Sequence, residues 1–277
     1  MSRKLSPGVI VILILLAAFV FAAASADLLA HNDPLRQSLL MRLKPPGTTT
    51  ATTSYLLGTD DLGRDLLARI LYGARASLMV AMLSVSVSLL VGTILGLFAG
   101  WFRGWTEIVA MRLVDSVLSI PAILLAVLTV AVLGPGFPTL VLVLGLTRWP
   151  RYTRVAYAQT LQVVTLPYIR AAEMAGCGPV RILLRHVLPN IAGPLMVVVT
   201  SEFGLMILFE AGLSFLGLGV QPPYPSWGSI MAAGRQYVQR AWWLTVFPGV
   251  ALFVLVLCVN LFGDWLRDRL DPRSLSR

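Results

Sequence analysis

From Ala76 to Phe102 the chain runs for 27 residues without a charged side chain. At 1.5 Å per residue that is about 40 Å of helix, whereas about 20 apolar residues suffice to cross a hydrocarbon layer of about 30 Å. In such a layer every backbone N–H and C=O must be satisfied within the segment, so the stretch is read as a membrane-spanning helix. Further uncharged runs cover Leu5–Ala26, Ser116–Thr147, Val187–Ser201 with its continuation past Glu202 to Val220, and Ala241–Phe262. With 57% hydrophobic and 13% charged residues, an ordinary soluble surface cannot be built. The expected fold class is all-α and polytopic.

The run from Ser116 to Thr147 is too long for one span and contains the helix breakers Gly134-Pro135-Gly136-Phe137-Pro138, so it is expected to form two short helices. Six spans result. With both termini cytoplasmic, the inner side receives Arg3, Lys4, Arg103, Arg112, Arg148, Arg151, Arg154, Arg170, Arg181, Arg185, Arg267, Arg269, Arg273 and Arg277, fourteen of the 22 basic residues. Merging the middle pair would send the six arginines between Arg148 and Asn190 outward, against the positive-inside bias. The organisation expected is a first helix within residues 1–30, an extracytoplasmic segment over 31–75 and a transmembrane domain over 76–265. A cytoplasmic loop lies at 149–190 and a cytoplasmic tail at 266–277. Arg3-Lys4, the apolar core and Ala24-Ser25-Ala26 also have the form of a secretory signal, but the length of the apolar run favours a retained span.

In the outer segment, Leu66, Leu67, Ile70 and Leu71 have helical spacing. They predict a short helix on the membrane surface, with Thr59 or Asp60 as its cap. The aspartates Asp60, Asp61 and Asp65 lack the ligand order and closing glutamate of a calcium loop and are read as structural. The tract Thr48-Thr49-Thr50-Ala51-Thr52-Thr53 reads as exposed linker. Cys177 and Cys258 fall in different compartments of this topology, so no disulfide is expected. His31 and His186 lie on opposite sides and cannot share a metal.

The cytoplasmic loop carries the most pointed pattern. Pro167 can begin a short helix in which Ala171, Ala172 and Ala175 leave one side nearly bare; Gly176 and Gly178 end it, and Pro179 starts the next. A bare face admits another protein's surface, and Arg170, Arg181 and Arg185 can bond carboxylates or carbonyls on it. The chain has only two lysines, Lys4 and Lys44, neither after a glycine-rich turn, so it holds no nucleotide-binding phosphate loop. No paired acid and base, metal cluster or nucleophile elbow can be assembled, which argues against an enzyme. The net charge of +9 is met by arginines facing anionic inner-leaflet headgroups, and no basic-aromatic module points to nucleic acid.

This loop resembles the cytoplasmic motif of bacterial ABC importer permeases, in which Glu-Ala-Ala is followed by Gly and, after nine intervening residues, by a hydrophobic-x-Leu-Pro ending. Ala171, Ala172, Gly176, Leu188 and Pro189 fall in register, with His186 at the hydrophobic position. Arg170 stands where the family has its glutamate, and Glu173 follows three residues later. The segments Leu57–Ser77, Glu210–Gly219, Pro222–Gly228, Arg185–Asn190 and Asn260–Arg273 resemble the second permease of dipeptide, oligopeptide and nickel importers. The resemblance implies the MetI-like permease fold in the bacterial inner membrane and alternating access around a path shared with a homologous second permease. It also implies an extracytoplasmic substrate-binding protein and two ABC ATPase subunits that bind ATP and Mg, with no cofactor in this chain. Arg170, Ala171, Ala172, Glu173, Gly176, Arg185, His186, Leu188 and Pro189 would form the ATPase-docking loop.

Within the membrane, Glu202 and Glu210 are costly unless paired or wet. Glu202 is expected either to line the path or to make a structural hydrogen bond, and Glu210 to bond backbone near the outer gate. Asp115 and Asp264 are expected to pair at the membrane edge with Arg112 and Arg267. The intramembrane acids and broken helices also fit a free-standing secondary transporter or channel, which would have no use for the alanine-lined loop. Peptides, glutathione and nickel chelates all remain open as cargo.

Overall fold

The structure is a computed structural model that describes residues 6–51 and 53–270. The terminal charges Arg3, Lys4, Arg273 and Arg277, and the end of the motif at Asp271–Arg273, lie outside those residues. Among the described residues the regular secondary structure is helical apart from one small hairpin and an isolated bridge between Thr59 and Asp65. Helix α1 spans Pro7–Ala24, with Pro7 in its first turn, where a missing N–H costs nothing. A single turn, α2, follows at Ala26–Leu29.

The outer segment is more ordered than its polar composition implies. Thr48–Thr49 (β1) pairs antiparallel with Ser54–Tyr55 (β2), so Thr48 and Thr49 of the threonine tract belong to a hairpin and not to a bare linker. The Asp60 carboxylate lies 2.6 Å from Nε of Arg64 and 3.3 Å from Nε of Arg69. It also accepts from the backbone N–H groups of Leu62 and Arg64. The aspartate patch is thus a buried ion-pair knot. Thr59 donates to the carbonyl of Met41 and accepts from the Lys44 amide, while Trp243 Nε1 donates to the Thr59 carbonyl at 3.1 Å.

The helix expected over Leu66–Leu71 is not a separate surface element. It forms the first turns of α3, Leu66–Phe102, and its cap is Asp65, whose side chain accepts from the Leu67 amide. Leu66 and Ala68 are buried, so tertiary packing draws these residues into the long helix. The left-handed pair Arg103 and Gly104 then turns the chain into α4, Gly104–Leu118, and α5, Ala122–Leu133. These two helices bend by 87° at Ser119-Ile120-Pro121, as expected where a proline lacks the donor for a continuing helix.

Gly134 and Gly136, both at positive φ, separate α5 from α6, Phe137–Val163. The expected break is present, but α6 is not short. It continues through Arg148, Arg151 and Arg154, so the loop begins only after Val163. There α7 (Pro167–Met174) and α8 (Pro179–Ile182) lead through a π-turn at Leu183–Val187 into α9, Leu188–Phe215. Helices α10, Trp227–Gly234, and α11, Trp243–Leu270, complete the described chain.

By length and composition, α1, α3, the run from α8 through α9, and α11 qualify as spans, and the bent α4/α5 pair makes a fifth. With α6, whose inner half carries arginines, these give the six-helix count read from the sequence.

Helices α3 and α6 touch backbone to backbone. A Cβ on Gly92 would lie 2.5 Å from the Trp149 carbonyl oxygen, one on Gly96 would lie 2.6 Å from that of Thr153, and one on Gly100 2.7 Å from Cβ of Thr160. Ser88 Oγ donates to the Gly145 carbonyl at 2.7 Å on the same seam. Small residues at a four-residue spacing are the means by which helices associate in lipid, where packing replaces the hydrophobic drive. Around the seam lie two cores. One, around Leu66, Leu144, Met206, Leu213 and Trp227, fills the outer and middle bundle. The other, around Tyr152, Ile169, Ile182, Val187 and Ile191, joins the loop to α6 and α9.

Gly96→Leu is expected to separate this seam at a cost of about 1–3 kcal/mol or more. Thermal melting of the purified protein in detergent should show a clear drop for this variant, and little change for Gly193→Ala, where a Cβ meets nothing within 4 Å.

Candidate functional site

Helix α7 projects as a preformed knob. Pro167 starts it and Ile169 anchors it, wholly buried with Ile182 and Val187. At its end the Gly176 amide donates to the Glu173 carbonyl and the Cys177 amide to the Ala172 carbonyl, with Gly176 at φ +82°. This is a Schellman cap, which needs a left-handed residue at that position. Pro179 then opens α8. The limits expected from the sequence are therefore those observed.

Arg170, Ala171, Glu173, Gly176, Arg185 and Pro189 are exposed, while Ala172, His186 and Leu188 are half-buried. Met174 near the end of α7 is 84% exposed, and Val180 of α8 is exposed as well. The alanine face is thus continued by exposed apolar side chains that the sequence reading did not single out. Underneath, the Tyr168 and His186 rings meet edge to face at 6.2 Å. Asn190 Nδ2 donates to the Tyr168 hydroxyl at 2.9 Å and to the His186 carbonyl at 2.6 Å. His186 therefore braces α7 against the start of α9.

Of the two intramembrane acids, Glu210 is fully buried and accepts from Ser77 Oγ at 2.6 Å and Ser214 Oγ at 2.7 Å. The partners expected were backbone groups; the serine hydroxyls take that place because α3 presents Ser77 directly to α9. Glu202, also fully buried, faces Arg151 at 3.2 Å and Arg148 at 3.8 Å from α6. Neither of its oxygens receives a hydrogen bond, so the groups are in charge contact without directional bonding. The Arg148 guanidinium lies 4.4 Å from the Phe209 ring centroid. Of the two expectations for Glu202, the structure shows no structural hydrogen bond and instead an ion pair.

Asp115 pairs with Arg154 of α6 at 2.7 Å and not with Arg112, its neighbour in sequence, because α4 lies alongside α6. Arginines at positions 148, 151 and 154 share one face of α6. Their i, i+3, i+6 spacing was the available sign that this helix carries charge inward, but their partners on α4 and α9 could not be read from it.

Beside the hairpin, Asn32, Asp33, Arg36, Tyr55 and Asp65 border a polar cleft of about 240 Å³. Burial pushes the Asp65 carboxyl up, against hydrogen bonds from Asn32 and the Leu67 amide. Nearby, the Tyr72 hydroxyl and then Arg75 hold the exposed Asp27 carboxyl below its usual range.

Comparison with known proteins places this geometry. Residues 92–276 match the family described as binding-protein-dependent transport system inner membrane component. The chain is 42% identical to the di/tripeptide transport system permease protein DppC of Pseudomonas aeruginosa (strain UCBPP-PA14), over 94% of this chain and 86% of that protein. It is 44% identical to the dipeptide transport system permease protein DppC of Escherichia coli (strain K12), over 98% and 90% of the two chains. The inward-facing MetNI methionine ABC transporter shares the fold at a TM-score of 0.57, with 20% identity over 72% of this chain and 94% of that one. An amino acid ABC transporter with histidines gives 0.53, with 16% identity over 72% and 93%. With the broken α4/α5 pair, the glycine seam and the capped α7 knob in place, the chain belongs to the family of binding-protein-dependent transport system inner membrane components.

Proposed function

We propose that this chain is one of two permease subunits of an ATP-driven importer that carries dipeptides and short oligopeptides across the inner membrane. The observation that carries the reading is likeness along nearly the whole chain, at 42–44% identity, to permeases named for dipeptides and di/tripeptides. That likeness favours peptides over nickel chelates or glutathione. Two ATPase subunits bind ATP and Mg and dock on α7, a binding protein delivers cargo outside, and this chain catalyses no reaction. Both termini lie in the cytoplasm. Nucleic acid has no part in the cycle, and a free-standing carrier would leave the knob without a partner.

Force transmission follows from the loop's construction. A load on α7 reaches Ile169, which is buried among side chains from α6 and the start of α9, so the knob and the inner ends of both helices move as one body. The exposed Ala171, Ala175 and Met174 surface is shaped for apolar contact, while Arg170, Arg181 and Arg185 offer donors to carboxylates on the ATPase.

Co-purification under gentle conditions is expected to return a second permease and ATPase subunits; recovery of this chain alone from a membrane that contains them would count against the assignment. Gly176→Leu forces a branched side chain into the left-handed region, at about 1–2 kcal/mol. In proteoliposomes it is expected to leave the complex assembled while cutting peptide uptake per ATP hydrolysed. Wild-type coupling in that variant would refute docking through α7.

A further inference from the structure

The Arg148–Glu202–Arg151 cluster is placed and balanced in a way that structural pairing does not explain. Arg148 lies eleven residues beyond Phe137, the start of α6, about 16 Å along the helix and so near the middle of a hydrocarbon layer of about 30 Å. Glu202 falls at the midpoint of α9, thirteen residues before Phe215. Helix α5, with 12 residues, reaches only about 18 Å, so the corner that joins it to α4 ends at the same depth. Between that corner and α6 lies a groove of about 450 Å³, walled by Val117, Leu118, Pro121 and Leu125 on one side and by Arg148 and Arg151 on the other.

Charge in this groove is unequal. Arg154 is matched by Asp115, but Arg148 and Arg151 share the single carboxylate of Glu202. Arg151 also borders a second cavity that holds one further acid and one further base, Asp264 and Arg267, which leaves the excess as it was. Among the described residues one guanidinium charge is therefore without a counter-ion, and the Arg151 side chain, 56% exposed, leaves it open to an anion that enters the groove. Meanwhile the carboxylate that two arginines share receives no hydrogen bond, and the neighbouring Tyr152 hydroxyl is buried without one. A guanidinium presents a planar fork suited to a second carboxylate.

We propose that the groove is a carboxylate-binding station on the transport path, in which Arg151 and Arg148 take the α-carboxylate of a short peptide. Glu202 is the resident counter-ion that holds them between passages. The apolar wall receives the peptide's side chains. This inference rests on the peptide-importer reading above. A phospholipid headgroup carries an anion too, but it sits at the membrane surface and not at mid-depth.

The test uses the assembled importer in proteoliposomes with a free-acid dipeptide, alanyl-photoleucine, followed for both uptake and light-induced adducts mapped by mass spectrometry. Adducts are expected in residues 117–125 or 147–155. Arg151→Ala should lower them, and raise the half-saturation for uptake, by about tenfold or more, the worth of a charge-assisted hydrogen bond. Arg151→Lys should fall between. Glu202→Gln removes the competing carboxylate, so it should increase adducts and lower the half-saturation; it carries the test if Arg151→Ala does not assemble. Uptake with adducts only elsewhere, or labelling unchanged in both variants, overturns the station while the peptide reading stands. Labelling of the groove by a photoreactive phosphatidylglycerol but not by peptide overturns it in favour of a lipid site. A wild-type complex that takes up no dipeptide overturns the peptide reading, and the station with it.

Discussion

The close approach of α3 to α6 is the contact on which the rest of this protein depends. Three glycines on successive turns of α3 leave the Trp149 and Thr153 carbonyls and the Thr160 side chain within reach of its backbone. Hydroxyls of Ser84 and Ser88 bond to carbonyls of α6 along the same line. Each such bond is worth only about 0.6 kcal/mol between helices in lipid, so the seam's strength comes from area of contact and from fit. Because α6 is held there, its arginine face is fixed in rotation, and everything that depends on that face follows.

One consequence is how the protein carries charge inside the membrane. An isolated ionisable group at the centre costs about 2.5–3.5 kcal/mol even on the lenient insertion scale. Glu210 is answered by serine hydroxyls from α3 and from its own helix, which makes it part of the packing. Glu202 is answered by charge alone, across α6 and α9. Two acids eight residues apart on one helix thus have different surroundings, one closed and saturated, the other beside a groove and underbonded.

At the end of the bundle where α6 leads into α7, the same helices support a rigid knob. The cap at Gly176, the Ile169 anchor and the Tyr168, His186 and Asn190 contacts each fix α7 by a different means. This loop has the buried apolar contacts and saturated backbone bonds that mobile segments lack. Arg170, which stands where the resembling motif has its acid, is exposed on α7.

The sequence by itself determined several of the points where helices start and stop, though not the extension of α3 back to Leu66 or of α6 on to Val163. Apolar length, the Gly134–Pro138 break, the Pro167 start, the Gly176 end and the Pro179 restart are all local effects of backbone chemistry, and all are seen. It did not determine which faces meet. Helix α3 is apolar around most of its circumference, so no periodicity distinguishes its lipid side from its packed side, and Gly92, Gly96 and Gly100 show their purpose only once α6 lies against them. Asp65 took the cap that Thr59 or Asp60 was expected to provide because Thr59 and Asp60 are occupied by the outer segment's own bonds. The pairing of Asp115 with Arg154, of Ser77 with Glu210 across 133 residues, and of Glu202 with two arginines depends on helix rotation and depth. Those are set by packing among helices far apart in the chain, which only the tertiary structure decides.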